Sequence, residues 1–322
     1  MKTFRFAIMG AGGIAHQFCD AVRRIEGAEV CAVASKSMER AKTFAEKESV
    51  AAYFDCYEQM LDTVKPDAVY VATTHNFHYE NVKMVLSKGI PVLCEKPFVL
   101  NSADAKELFA LAKEKNVLLM EAMWSRFLPQ IQKAKEWIES GAIGTLRMGH
   151  CVVGFKGERN PENRVFSPKL AGGAIYDIGV YAIELMTYLV DQPLCDKQVM
   201  ILPAWTGVDA SNVIALKFET CTAALQTTVM ASPRQELTLT GDDGYIVIPN
   251  SNVGNEAYLY KNGELIEHFK QPYGNGFTFE TADFIRCVKE GKLENETVPA
   301  SATIQCAEIF DLGNPQMAGP ER

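Results

Sequence analysis

Apolar positions in the first third of the chain fall into short runs separated by stretches with helical spacing. Residues 4–9 form an apolar run that stops at Gly10, and from Ile14 to Ile25 apolar residues return at the spacing of one helix face. The alternation repeats. Val30 to Ala34 precedes a helical stretch from Met38 to Glu48, Ala68 to Thr73 precedes one from Tyr79 to Lys88, and Pro91 to Cys94 precedes one from Ser102 to Lys115. Val117 to Met120 closes the series as a fifth strand. Strands alternating with helices in this way predict a parallel sheet covered on both faces.

Past residue 121 the texture changes. A helix over Leu128 to Ser140 ends at Gly141, and later runs alternate with a period of two: Ala210 to Phe218, Thr222 to Val229, Leu237 to Thr240 and Tyr245 to Ile248. Turn sequences at 241–244 and 261–264 break them up, which predicts antiparallel strands. The expectation is an α/β protein of two domains. Residues 1–121 carry a doubly wound parallel sheet, and residues 122–322 form an α/β domain with an open, mainly antiparallel sheet. A chain of 322 residues suits two domains of about 100 to 200 residues each. The long strands 210–218 and 222–229 are expected to need cover on both faces, which predicts a homodimer through the second sheet. The tail from Gly313, rich in Pro and Gly, is expected to fray.

Composition narrows the partners. Apolar residues are 48% and charged residues 22%, an ordinary globular balance. The formal charge of −8 argues against nucleic acid or an anionic membrane, because either calls for a basic face. Small molecules are left as ligands. Nine scattered cysteines with no C-x-x-C pair fit a reducing cytoplasm. Residues 1–9 have the basic start and apolar run of a signal peptide, but glycines interrupt the run and Gln17 and Asp20 follow, so no export signal is read. No run of about 18 apolar residues is read as a membrane span.

Five clusters carry candidate chemistry. Gly10, Ala11, Gly12, Gly13, Ile14 and Ala15 spell G-x-G-x-x-A between a strand and a helix. Gly10 permits a tight turn, Gly12 lets a pyrophosphate approach the backbone, and Ala15 lets helix and strand pack closely; this is the dinucleotide fingerprint of a Rossmann domain. At the end of the second strand an NAD site wants a carboxylate for the ribose 2′-hydroxyl. Ser35 and Lys36 stand there instead, with Arg40 nearby, whereas Glu29 opens that strand and lies at its wrong end. The pattern predicts NADP, with NAD as the alternative; a merely solvated basic loop is the competing reading. Thr73, Thr74, His75, Asn76 and His78 end the third strand and are read as hydrogen-bonding near the cofactor, since H-x-x-H without a third ligand makes a poor zinc site. Glu95 and Lys96 end the fourth, where Pro97 biases Lys96 toward an extended backbone that delivers it to the ligand side of the sheet. Farther on, Gly172 and Gly173 read as a flexible turn opening a helix on which Asp177 and Tyr181, four apart, share a face. Read alone, a helical tyrosine is more often core than catalyst.

Together these clusters, in this order over nearly the whole chain, resemble the Gfo/Idh/MocA oxidoreductases. Residues 121–129 and Asp177 to Tyr181 are most similar to the branch holding dimeric dihydrodiol dehydrogenases and NADP-dependent xylose dehydrogenases. The resemblance implies Lys96 and Tyr181 as catalytic pair with Asp177 as helper, although many members carry His where Tyr181 stands. It implies that Trp124 and Arg126 line the substrate side beside the cofactor, that Arg147 stands near the cofactor, and that the Lys96-Pro97 bond is cis. The segment from Phe277 to Lys289 resembles a helix that returns to the first domain, and the end from Asp311 departs from the family pattern. The implied activity is hydride transfer between NADP(H) and a hydroxyl-bearing carbon of a sugar, polyol or cyclic diol. The alternative is a non-catalytic NADP-binding sensor of the same fold.

Overall fold

The computed structural model describes residues 2–313, so most of the tail expected to fray lies outside the described residues. The chain divides into two compact units. One holds residues up to Val99, Ala103–Trp124 and Asn275–Thr303; the other holds Leu100–Ser102, Ser125–Gly274 and the chain from Ile304.

The first unit is the parallel α/β layer structure that the alternation predicts. Strands β1 (Phe4–Met9), β2 (Ala28–Ala34), β3 (Ala52–Phe54), β4 (Ala68–Val71), β5 (Val92–Glu95) and β6 (Leu119–Ala122) form one sheet in the order β3-β2-β1-β4-β5-β6. All its pairings are parallel. Helices α1 (Gly13–Arg23), α2 (Met38–Glu48), α3 (Tyr57–Val64), α4 (His78–Ser87) and α5 (Ser102–Lys115) connect the strands. Strand β3 and helix α3 add a unit that the apolar pattern does not announce. Helix α1 buries Ala15, Phe18, Cys19, Ala21 and Val22, the stripe that makes it a core helix. Phe18 stacks on Tyr70 at 3.8 Å and meets Phe6 edge-on at 5.1 Å.

In the second unit, α6 (Pro129–Glu139) begins with Pro129, whose fixed φ suits a first helical position. Strand β7 (Leu146–Gly154) follows, then a π-helical turn (Ile175–Gly179) running into α7 (Val180–Val190). Strands β8 (Leu194–Pro203), β9 (Asp209–Phe218), β10 (Thr222–Thr228), β11 (Glu236–Gly241), β12 (Tyr245–Pro249), β13 (Glu256–Lys261) and β14 (Glu264–Lys270) complete an eight-stranded sheet. Its order is β14-β13-β12-β11-β7-β10-β9-β8, antiparallel except where β7 meets β10. Helix α8 (Phe277–Lys289) belongs to the first unit, where Phe284 lies 5.9 Å from Phe6. The last helix, α9 (Ala300–Gly313), runs past Asp311, whose carboxylate accepts from the Ser102 amide at 3.2 Å.

One expectation is corrected. Strands β9 and β10 bury one face only, with Ile214, Leu216 and Leu225 inward and Ala215, Lys217, Ala224 and Gln226 outward, so period-two alternation marks one covered face. The segment Pro168–Val190 reaches membrane-spanning length and hydropathy, but 89% of its most apolar window is buried within the protein, the state of a core helix, so no membrane span is read from it.

Candidate active site

In the first unit the sheet order reverses at β1, between β2 and β4, and ligands of such sheets bind outside the carboxyl ends of the strands at that point. The glycine turn sits there. Gly10 has φ +105°, and a Cβ on it would stand 2.6 Å from the Ala72 carbonyl oxygen, so no other residue fits. A Cβ on Gly12 or Gly13 would meet nothing within 4 Å. Gly12 is the N-cap of α1 and, having no side chain, supplies no capping bond, so the first N–H groups of the helix stay available to an anion. Open space over uncapped amides fits a pyrophosphate.

At the end of β2, Ser35 is buried and its amide donates to Phe54 O at 3.1 Å. Lys36 and Arg40 are exposed. The Lys36 ammonium lies 4.0 Å from the centre of the Phe77 ring, a cation–π contact that holds the charge beside the strand end. Ser37 caps α2 by accepting from the Arg40 amide at 3.3 Å.

Of the residues ending β4 and β5, two have side chains engaged by the protein itself. His78 is 1% exposed, and its ring nitrogens face carbonyl oxygens of the chain, Nδ1 that of Pro97 at 2.9 Å and Nε2 that of Thr73 at 3.0 Å. It braces two loops against each other. Glu95 points into the core because strand alternation puts it on the side of Tyr70, whose hydroxyl donates to Oε1, while Oε2 accepts from the Lys96 amide at 3.2 Å. Burial pushes its carboxyl above the usual range. The Thr73 hydroxyl accepts from Asn81 at 3.1 Å, His75 is buried, and Thr74 and Asn76 lie in the same loop. Lys96 is partly exposed, and the Lys96-Pro97 bond is cis.

Deeper in this unit lie two carboxyls that the sequence did not single out. Glu121 accepts from the Phe98 amide and the Thr303 hydroxyl, both at 2.9 Å. Glu280 of α8 is fully buried, and burial, then the nearby Glu95 and Glu121, drive its carboxyl well above the usual range. Trp124 stacks on Phe277 at 5.0 Å.

In the second unit the Gly172-Gly173 turn proves locked where flexibility was expected. The amides of Gly172 and Gly173 donate to Ser167 O and Val165 O, and Asp209 of β9 accepts from the Ile175 amide at 2.7 Å, capping the π turn. Asn212 ties Asp209 to Thr227 on β10, at 3.0 and 2.8 Å. The π turn carries Asp177, and α7 carries Tyr181 one turn on; both are buried but for 7% and 8%. Arg164 donates to Asp177 Oδ1 at 2.7 Å. No sequence signal set Arg164 or Asp209 apart, since neither lies in a recognisable motif.

Two arginines of the expected site form ion pairs in this unit. Arg126 lines no open surface: it is 2% exposed, its Nη2 lies 2.7 Å from a carboxylate oxygen of the fully buried Glu184, and its guanidinium lies over Tyr188. A buried cation needs such a partner, and the pair ties the segment after β6 to α7. Arg147, on an exposed face of β7, is gripped by both carboxylate oxygens of Asp242 at 2.7 and 3.0 Å, a bidentate surface bond that occupies it within the second sheet.

A doubly wound sheet whose glycine turn leaves a phosphate-sized gap at a helix N-terminus defines a dinucleotide-binding protein. The chain belongs to the Gfo/Idh/MocA oxidoreductase family. The model of the family's NAD-binding Rossmann fold matches residues 4–123, and that of the Gfo/Idh/MocA C-terminal domain matches residues 131–247. It is 31% identical to the scyllo-inositol 2-dehydrogenase (NADP(+)) IolU of Bacillus subtilis, over 97% of each chain. It is 30% identical to the trans-1,2-dihydrobenzene-1,2-diol dehydrogenase of Xenopus tropicalis, over 95% of this chain and 96% of the relative. Its fold matches that of KijD10, a 3-ketoreductase from Actinomadura kijaniata, with a TM-score of 0.87 at 23% identity over 98% of both chains.

Proposed function

We propose that the protein catalyses reversible hydride transfer between NADP(H) and a hydroxyl-bearing carbon of a sugar, polyol or cyclic diol. The observation that carries the cofactor half is the glycine turn with open space over the uncapped α1 amides. The relatives, named for inositol and dihydrodiol substrates, support the substrate half. The nicotinamide, when bound, exchanges the hydride. The backbone of Gly10 to Ile14 holds the pyrophosphate, and Ser35, Lys36 and Arg40 hold the 2′-phosphate, with Ser35 at the strand end where an NAD site places a carboxylate. His75 and Asn76 bound the cofactor side of the first unit, and Trp124 offers an aromatic face to the substrate.

Tyr181 takes the proton of the substrate hydroxyl, or returns it, and the Lys96 ammonium stabilises the charge left on oxygen. Asp177 orients the hydroxyl as an acceptor. An intact Lys96 and Tyr181 favour an enzyme over a sensor. Mixing the protein with NADP+ and scyllo-inositol, D-xylose or trans-1,2-dihydrobenzene-1,2-diol should raise the nicotinamide absorbance. Tight NADPH binding with no turnover of any of the three would favour the sensor.

We also propose a homodimer through the outer face of the second sheet, supported by the exposed Met148, Met200 and Leu202. Light scattering at micromolar concentration should give twice the chain mass, and a monomer would refute it. The nine scattered cysteines with no C-x-x-C pair support a cytoplasmic location, and the net charge of −8 supports a small-molecule partner over nucleic acid or an anionic membrane. Retention on a DNA column or on anionic vesicles at physiological salt would argue against that choice of partner.

A further inference from the structure

Within the second unit, the rotation of α7 about its axis is not set by an unbroken α ladder. The Asp177 amide donates to Gly173 O, four residues back, but the Val180 amide donates to Ile175 O, five back. The turn between them carries one residue more than an α turn does. Relaxing it to α would swing everything downstream by about 100° around the axis, the angle of one helical residue. Tyr181 stands at the second position of α7, just past that turn. Its direction therefore depends on what grips α7 farther along.

The grip is a buried arginine. Arg126 reaches three residues of the helix: Nη2 lies 2.7 Å from Glu184 Oε2 and donates to the Thr187 hydroxyl at 3.4 Å, and Cζ lies 5.1 Å from the centre of the Tyr188 ring. Gln132 closes the arrangement, its amide donating to both Arg126 O and the Tyr188 hydroxyl. Glu184 follows Tyr181 by three residues and so shares its helix face. A fully buried ion pair is a poor device for stability, because apolar side chains of similar volume often hold a core as well or better. It is a good device for direction. A rotation that carried Glu184 away from Arg126 would leave two buried charges uncompensated, and that penalty opposes relaxation of the π turn. Resting on the functional reading above, we propose that Arg126 and Glu184 are positioning residues whose pairing locks the rotation of α7 and so holds the Tyr181 phenol in its proton-transfer direction.

The test uses the full-length protein with NADP+ and whichever of scyllo-inositol, D-xylose and trans-1,2-dihydrobenzene-1,2-diol the parent oxidises. Arg126→Met combined with Glu184→Leu removes both charges at similar volume, so the melting temperature should stay at or above the parental value. NADPH affinity and, within about threefold, KM should be kept, while kcat falls by about tenfold to 100-fold, the pattern of a misdirected proton-transfer group. The rising limb of the kcat–pH profile should also move up by about one unit, because a phenol turned away from the proposed Lys96 charge ionises less readily. A merely structural pair would lower the melting temperature and leave that limb in place. Glu184→Asp, which keeps the charge, should recover part of kcat and bring the limb back toward the parental pH. A folded double variant with parental kcat and an unmoved limb overturns the proposal and leaves the enzyme reading intact. A double variant that fails to fold overturns it too, since the pair then serves stability. A parent that oxidises none of the three probes overturns the functional reading and this proposal with it.

Discussion

The two glycine turns of this chain are built from the same residue type for opposite reasons. At Gly12 and Gly13 nothing of the protein lies within 4 Å of an added Cβ, so the missing side chains leave room for something that is not protein. At Gly172 the space is already taken by Arg164 O and Val165 O, and a side chain on Gly173 would collide with the Asp209 carboxylate that caps the π turn. One turn is open to a ligand. The other clears a path for the chain's own backbone and so fixes the segment that carries Asp177. Glycine content alone therefore says little about flexibility; what the absent Cβ would touch says more.

The contrast is sharpest under substitution. Gly12→Val should fold with the parental melting temperature, because Gly12 has an extended backbone and free space around it, yet weaken NADPH binding by about 100-fold or more by filling the phosphate gap. Gly172→Ala should do the reverse, destabilising the second unit by about 1–3 kcal/mol through backbone overlap while NADPH affinity in the first unit is kept. Fluorescence titration with NADPH beside a thermal melt reads both. Equal effects of the two substitutions on affinity would erase the distinction.

A smaller effect is expected at the 2′-phosphate. Ser35→Asp combined with Lys36→Ala should cut the preference for NADPH over NADH by about tenfold to 100-fold, since a carboxylate at the end of β2 repels the phosphate and accepts from the free ribose. Equal affinities for the two cofactors in the parent would remove the basis of the NADP assignment.

The smallest concerns the buried acid of α8. The Glu280 carboxyl is raised well above its ordinary value of 4.5, so the folded protein keeps a proton that the unfolded chain releases. Its folded state is favoured at low pH, and that advantage is lost as pH climbs above 4.5 toward the raised value. Glu280→Gln keeps the shape without the titration. It should raise the melting temperature by roughly 2–4 °C at pH 7.5 and by less at pH 5. A gain that is the same at both pH values would mean that Glu280 is not held protonated.

Much of this architecture was legible because amphipathic helices and buried strands leave strong periods. Helix α2 was read residue for residue, and β1 lies where its apolar run ended at Gly10. Other elements gave weak or misleading signals. Strand β3 has three residues and α3 buries only Met60 and Leu61. Strand β7 contains Gly149, which reads as a breaker but is there because a Cβ would stand 2.6 Å from the Met186 sulfur. Strand β8 is an edge with most of its residues outside the core, so it shows no alternation.

The site was legible in its glycines, whose conformational need is local, and less so in its polar residues, whose direction depends on packing. His78 and Glu95 have the right chemistry for a cofactor site and lie at its strand ends, yet their side chains turn inward to carbonyls and to Tyr70. Arg126 reads as a ligand contact until its partner Glu184, 58 residues on and equally buried, is seen. Arg164 and Asp209 carry no motif, because their roles arise from contacts with residues 13 and 34 positions away.

The central claim is that Tyr181 moves the proton while Lys96 holds the charge, and steady-state turnover of the Tyr181→Phe protein tests it most directly. Removing one hydroxyl keeps the ring, so fold and NADPH affinity should be retained while kcat falls by about 10² to 10⁴, the contribution of a positioned proton-transfer group. Lys96→Met should cost a comparable factor, and the double variant much less than the product, the non-additivity that the proposed pair entails. A Tyr181→Phe protein that oxidises a confirmed substrate at the parental rate would contradict the account and move the proton transfer to His75 or Asp177.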